Sequence, residues 1–132
     1  MILRICFFLV LVFVTYQTLA PASDIKSTFS IGEWISNRLF GHTEFGDKVG
    51  HFLAYGALGY LFVLGWKPPL RTLLLGVAGL TVYGGVLEVF QGLSVSRQMD
   101  PYDAIANFFG ALLGAAVASV FVRMFFVERK FV

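Results

Sequence analysis

Polar and ionisable side chains are concentrated in two places of a chain that otherwise has few of them. One is the stretch LEVFQGLSVSRQMDPYDAIAN, residues 87–107, which lies between two apolar segments, and the other opens an earlier apolar segment at DKVGH, residues 47–51. The candidate residues are Asp47, Lys48, His51, Glu88, Gln91, Arg97, Asp103 and Asn107. Carboxylate, imidazole, guanidinium and amide groups that converge can transfer protons or bind a polar ligand. We therefore take these residues as the candidate site.

The composition indicates that a membrane surrounds the elements that position these residues. Hydrophobic residues make up 58% of the 132 residues and charged residues only 14%, against roughly a quarter charged in soluble proteins. The length allows one domain. A net charge of +2, with no basic run interleaved with aromatics, argues against nucleic-acid binding. The single cysteine, Cys6, provides neither a disulfide framework nor a cysteine metal site.

Four apolar runs are each near the roughly 20 residues that span a bilayer. They cover residues 5–20, 49–66, 70–90 and 102–127. We therefore predict an all-α integral membrane protein, a compact bundle of about four transmembrane helices. Its predicted organisation is a first helix in residues 1–20, an outer loop at 21–48, a three-helix core at 49–127 and a cytoplasmic tail at 128–132.

Prolines and one polar connection indicate where the helices end. The first run could also be a signal peptide, but Pro21 directly follows the candidate cleavage site, which favours a retained helix. The pair Pro68-Pro69 ends the second run and predicts that the second and third helices are antiparallel neighbours. In the outer loop, a capping-box pattern at Ser30 and apolar residues at helical spacing predict a short amphipathic helix on the membrane surface, ending at Phe40. An ordered loop is the alternative.

The distribution of lysine and arginine predicts the orientation in the membrane. One side of a four-span protein would carry Arg4, Lys67, Arg71, Arg123, Arg129 and Lys130, and the other Lys26, Arg38, Lys48 and Arg97. Cytoplasmic loops are enriched in these residues. We therefore place both termini in the cytoplasm and the polar stretches outside.

Helical spacing predicts that the polar residues meet at that outer edge, because residues three or four apart share a helix face. The predicted faces pair Asp47 with His51, Glu88 with Gln91, and Asp103 with Asn107. Small residues let helices approach closely in lipid, and the predicted packing positions are Gly84, Gly85, Gly110 and Gly114. Packing within one chain is favoured over a dimer, and the oligomeric state stays open. A buried Glu88 needs a partner, for which Arg97, His51 and Asn107 are candidates, whereas Arg97 and Asp100 taken alone are typical of solvated loop charges.

The segments DKVGHFLAYGALG and EVFQGLSVSRQMDPYDAIANFFGALLG resemble the VanZ-like family. The family pattern is an Asp-Lys-x-x-His-Phe start, a Glu-x-x-Gln pair, and Arg, Asp, Asn and Gly opening the last helix. It falls on Asp47, Lys48, His51, Phe52, Glu88, Gln91, Arg97, Asp103, Asn107, Gly110 and Gly114. The resemblance covers about Asp47 to Gly114. It implies a protein of the bacterial cytoplasmic membrane with a link to resistance against the glycopeptide teicoplanin, and it implies no molecular mechanism.

Three functions are compatible with these residues. In the first, an outward polar pocket binds a membrane lipid head group, a glycopeptide or a cell-wall intermediate, with Arg97 and Lys48 pairing with phosphate or carboxylate. In the second, a small membrane enzyme uses Glu88 or the Asp47–His51 pair as a general base, although no nucleophile motif accompanies it. In the third, the polar residues only hold helix ends together. No cofactor is predicted, and because the acids match no defined metal motif, no metal site is predicted either.

Overall fold

Long helices make up the structure, as predicted. The computed structural model describes residues 1–20, 31–94 and 98–127. The helices are α1 (Ile2–Leu19), α2 (Ile31–Phe40), α3 (Gly46–Trp66), α4 (Leu70–Gly92) and α5 (Pro101–Val122), and a π-helical turn at Arg123–Val127 continues α5. The described residues contain no strand. Four of the helices, α1, α3, α4 and α5, are long and apolar enough to cross a membrane, which confirms the all-α membrane bundle.

A three-residue turn at the predicted proline pair separates α3 from α4. Lys67 adopts a left-handed conformation with a φ of 46°, and its N–H donates to the carbonyl of Val63 over 2.7 Å. Because proline has no N–H with which to continue a helix, α3 stops there, and Pro69 becomes the N-cap of α4. The ring of Phe62 lies against Gly76, farther from the polar end of both helices than the contact between Tyr55 and Gly84 described below. The two helices therefore run antiparallel, as predicted.

The backbones of α3 and α5 meet along a row of small residues. A methyl group built on Gly110 would overlap the carbonyl oxygen of Phe52, and one on Gly114 would overlap that of Gly56. Gly59 lies equally close to the backbone of α5. Since the paired positions advance together along both helices, α3 and α5 run parallel. We call Gly56, Gly59, Gly110 and Gly114 the glycine seam; in lipid, such residues let two helices come together where bulkier ones could not.

The first helix, α1, packs against α3 and α4. The Arg4 side chain donates from Nε to the Gly65 carbonyl over 3.0 Å and lies over the ring of Trp66. Farther along the helix, the hydroxyl groups of Thr15 and Tyr83 are 2.5 Å apart and share a hydrogen bond. These contacts tie α1 to one end of α3 and to the middle of α4.

The short helix α2 lies beside the beginning of α3. Its start at the predicted capping serine, Ser30, lies outside the described residues, but a helix and not an ordered loop occupies Ile31–Phe40. The small residues Gly32 and Ser36 are buried, whereas Trp34 is exposed. The helix therefore turns its small residues toward the bundle and apolar surface away from it, and its placement on the membrane surface stays a prediction.

Candidate functional site

Polar residues of three helices converge at the end of the bundle where α3 and α5 begin and α4 ends. His51 lies in the second turn of α3, Glu88 in the last two turns of α4, and Asp103 and Asn107 in the first two turns of α5. Glu88, Asp103 and Asn107 are only 2%, 5% and 0% exposed. We call these four residues the polar cluster. Because buried carboxylates are costly in a membrane span unless they face partners, the contacts within the cluster are its central feature.

His51 connects the members of the cluster. Its Nδ1 lies 3.0 Å from the side-chain oxygen of Asn107, and its Nε2 lies 3.5 Å from Glu88 Oε1 and 3.9 Å from Asp103 Oδ2. An amide oxygen only accepts hydrogen bonds, so Nδ1 is the donor in this geometry. In the neutral ring, Nε2 then directs a lone pair toward the two carboxylates, whereas a protonated ring would donate to them.

Lys48 and Asp100 border the cluster on its open side. The Lys48 ammonium group lies 2.5 Å from Asp100 Oδ2 and 3.6 Å from Asp103 Oδ1. Asp100 is also the N-cap of α5, since its side chain accepts from the Tyr102 N–H over 2.9 Å. The hydrogen bond from Lys48, followed by that from the backbone of Tyr102, holds the pKa of Asp100 below its usual value. Asp100, which taken alone is typical of a solvated loop charge, thus has a partner from α3.

We expect Asp100→Asn to remove a pH-dependent part of the stability. Asparagine is an equally good N-cap, so the variant loses only the charge that pairs with Lys48, worth about 1 kcal/mol or less at this partly exposed site. The pKa of Asp100 is lower in the folded than in the unfolded protein. The ion pair therefore stabilises the fold fully at pH values above the unfolded pKa of about 3.9. This stabilisation is lost as the pH falls further, through the lower pKa of Asp100 in the folded protein. Melting curves in detergent should therefore show wild type and variant converging as the pH is lowered from 7 to 3.

A stability difference that stays constant over this pH range would contradict the ion pair. Asp100→Ala is the matched comparison, since it removes the cap as well and should cost about 1 kcal/mol more than Asp100→Asn at every pH.

Tyr55 also belongs to this region, although it was not among the predicted residues. Its side chain is 1% exposed, and a methyl group on Gly84 would lie 2.8 Å from the Tyr55 hydroxyl and 2.5 Å from Asn107 Nδ2. Both polar atoms therefore lie against α4 at Gly84. The sequence did contain a signal, because Tyr55 follows His51 by four residues and so shares its face.

Three uncharged buried polar atoms at this end of the bundle have no hydrogen-bond partner among the described residues. They are the hydroxyl of Tyr55, Nδ2 of Asn107 and Oε1 of Gln91. A buried polar atom left without a partner costs about 1–3 kcal/mol. Each of the three atoms can therefore accept a hydrogen bond from, or donate one to, a polar group that enters the cluster.

The remaining predicted site residues have different positions. Gln91 is buried one turn beyond Glu88, whereas Asp47 is exposed. The inward positions of α3 are Lys48, His51 and Tyr55, spaced by three and four residues, so the neighbouring position 47 falls outside that face. Arg97 lies outside the described residues.

Among the predicted packing glycines, Gly84, Gly110 and Gly114 each lie close to a neighbouring helix. A methyl group on Gly85, in contrast, would have no neighbour within 4 Å among the described residues, so the close packing predicted there is not observed. Gly85 is rotated by about 100° from Gly84 around α4. Only one of two successive residues can therefore face α3 and α5.

The fold and the cluster define a small multi-pass helical membrane protein with a buried polar site at one end of its bundle. A model of the VanZ/LLP1 family matches residues 2–122. The chain therefore belongs to the VanZ/LLP1 family, which confirms the resemblance seen in its motifs. Neither a curated protein nor a solved structure shows significant similarity to the chain.

Proposed function

We propose that this protein binds the polar head group of a membrane amphiphile at the outer surface of the bacterial cytoplasmic membrane. The amphiphile would be a lipid, a lipid-linked cell-wall intermediate or a glycopeptide seated in the membrane. The observation that carries the proposal is the set of three buried polar atoms, on Tyr55, Gln91 and Asn107, that have no hydrogen-bond partner among the described residues. They lie on three different helices and could bind one group together.

The charge of the cluster indicates which head group it would accept. Two buried carboxylates, Glu88 and Asp103, lie in the cluster, and the nearby ammonium group of Lys48 is already paired with Asp100 and Asp103. Lys48 is thus less suited to bind a phosphate than the sequence-based hypothesis assumed. An ammonium or hydroxyl group would match the excess of acceptors better, as charge-assisted hydrogen bonds to carboxylates are among the stronger ones.

The positions of the basic residues support the proposed orientation. Arg4, Lys67, Arg71 and Arg123 lie at the helix ends opposite the polar cluster. Cytoplasmic ends of membrane helices are enriched in lysine and arginine. The polar cluster would accordingly face the outside, where envelope lipids and glycopeptides are found.

We expect Tyr55→Phe to weaken ligand retention by roughly threefold to tenfold without destabilising the protein, as for the loss of one hydrogen bond. Among the described residues, the Tyr55 hydroxyl has no hydrogen-bond partner to lose, so the substitution is expected to affect the ligand and not the fold. The measurement is native mass spectrometry of the protein extracted from cell membranes, which counts the chains that retain a co-purified amphiphile. In cells that express the chain, the minimum inhibitory concentration of teicoplanin should fall along with this retention.

The matched control is Tyr16→Phe, which removes the hydroxyl of an exposed tyrosine on α1 and should leave both readouts unchanged. If Tyr55→Phe lowered the melting temperature and left retention intact, the cluster would be structural only. If wild type retained no amphiphile, the proposed function would be wrong.

A further inference from the structure

The geometry points to a divalent metal ion bound by His51, Glu88 and Asp103. One nitrogen or oxygen atom from each residue lies within 4.8 Å of the other two. Nε2 of His51 lies 3.5 Å from Glu88 Oε1 and 3.9 Å from Asp103 Oδ2. Neighbouring ligands of a tetrahedral zinc ion, with bonds of about 2.1 Å, are about 3.4 Å apart. The two separations from His51 are therefore within about half an ångström of this value, and the two carboxylate oxygens, within 4.8 Å of each other, would move toward a bound ion by about 1 Å or less.

His51 is already oriented as a metal ligand requires. Its Nδ1 donates to the side-chain oxygen of Asn107 over 3.0 Å, which leaves the Nε2 lone pair of the neutral ring facing Glu88 and Asp103. Histidine ligands commonly donate their second ring N–H to a carbonyl or carboxylate oxygen, which fixes the ring and the tautomer. Asn107 is thus a positioning residue for the metal site.

The electrostatics of the cluster favour a cation there. The carboxylates of Glu88 and Asp103 are almost completely buried, and both face the same imidazole ring. The described lysine nearest to them, Lys48, contacts Asp103 at 3.6 Å but lies closer to Asp100, at 2.5 Å. Carboxylates brought close together in a medium of low dielectric constant repel each other, and a divalent ion would balance both.

Buried polar atoms on Asn107, which contacts His51, and on Tyr55, which shares the helix face of His51, provide a second, independent observation. Asn107 Nδ2 and the Tyr55 hydroxyl both lie against Gly84 and have no hydrogen-bond partner among the described residues, although both side chains are buried. Three protein ligands leave coordination positions open on a zinc or manganese ion, and water molecules bound there need such hydrogen-bond partners. Imidazole together with carboxylate favours a transition metal ion over calcium or magnesium.

The inference goes beyond the proposed function, because a chain that binds no amphiphile could still hold the ion. The test uses the full chain in lipid nanodiscs, freed of metal with a chelator and titrated with Co²⁺ as a spectroscopic substitute for Zn²⁺. We expect saturation at one ion per chain, with visible absorption bands of low-symmetry Co²⁺ and a nitrogen coupling from one imidazole in pulsed electron paramagnetic resonance. His51→Gln, Glu88→Gln and Asp103→Asn should each weaken binding by about tenfold or more, and Asn107→Ala by roughly tenfold as a positioning residue.

The protein carries its own matched control. His42 and Glu44 form another histidine–carboxylate pair at the same end, 3.9 Å apart, but exposed, so His42→Gln should leave Co²⁺ binding unchanged. Circular dichroism and size-exclusion profiles check that each variant is folded. If a ligand variant fails to fold, persistence of the imidazole coupling in His42→Gln decides the question, because His51 is the only other histidine. Absence of saturable binding in wild type, or an unchanged affinity in folded His51→Gln, would overturn the site whatever the result with Tyr55→Phe.

Discussion

Gly114→Ala is expected to lower the free energy of unfolding by about 3 kcal/mol, the upper part of the range for inserting one methyl group into a packed interior. The added methyl group would overlap the carbonyl oxygen of Gly56. Both sides of this contact are backbone, so no side chain can rotate away and α3 and α5 must separate. Separation would also loosen the contact between Gly110 and Phe52. In lipid, no hydrophobic effect would compensate for the packing energy that is lost between the two helices. The measurement is the unfolding free energy or the melting temperature in detergent, together with abundance in the membrane.

The matched control for this prediction is Gly85→Ala, in which the methyl group meets nothing within 4 Å among the described residues. It should leave stability unchanged or raise it by up to about 1 kcal/mol, because alanine has the higher helix propensity. Equal stabilities of Gly114→Ala and Gly85→Ala would contradict the parallel contact of α3 with α5.

Lys48→Met is expected to have the second large effect, a loss of about 2–3 kcal/mol of stability. Methionine keeps most of the aliphatic length but removes the ammonium group that lies 3.6 Å from Asp103 Oδ1. Removing one partner of a fully buried pair typically costs about 3–5 kcal/mol, and the 29% exposure of the Lys48 side chain places the expected loss somewhat lower. The melting temperature and the amount of protein in the membrane measure this loss.

A double-mutant cycle separates the charge effect from lost packing. Asp103→Asn removes the carboxylate that Lys48→Met leaves behind, so the double variant should be more stable than Lys48→Met alone. Strict additivity of the two losses would show that the two groups do not interact. Arg38→Met, which removes an exposed positive charge on α2, should change stability by only about 0.5 kcal/mol or less.

The helices of this protein could be predicted from hydropathy because few backbone conformations are stable in lipid. A segment in the bilayer must satisfy its N–H and C=O groups internally, so a sufficiently long apolar run in this chain becomes a helix. The same periodicity placed Asp103 and Asn107 on one face, and in the structure both are buried in α5. The structure also brings His51 and Glu88 to the same end of the bundle, as the predicted ends of the apolar runs and the helical spacing together indicated.

Other features depended on helix rotation and on contacts between distant residues, which spacing does not provide. The spacing of four suggested that Asp47 would lie beside His51, yet the actual inward face of α3 runs through Lys48. Lys48 and Asp100 are 52 residues apart, so their ion pair could not be read from the local sequence. The three proposed metal ligands come from three helices, and therefore no short sequence motif contains all of them.

The parallel course of α3 and α5 has an electrostatic consequence at the polar end. Antiparallel neighbours largely cancel their dipoles, but here two helix N-termini, each equivalent to about half a positive charge, lie side by side. Asp47 and Asp103 lie in the first turns of these helices, where the helix dipoles favour negative charge. Glu88 lies near the C-terminus of α4, where the backbone itself is partially negative. Of the acidic residues around the cluster, Glu88 is therefore the one whose charge depends most on a positive partner from outside its own helix.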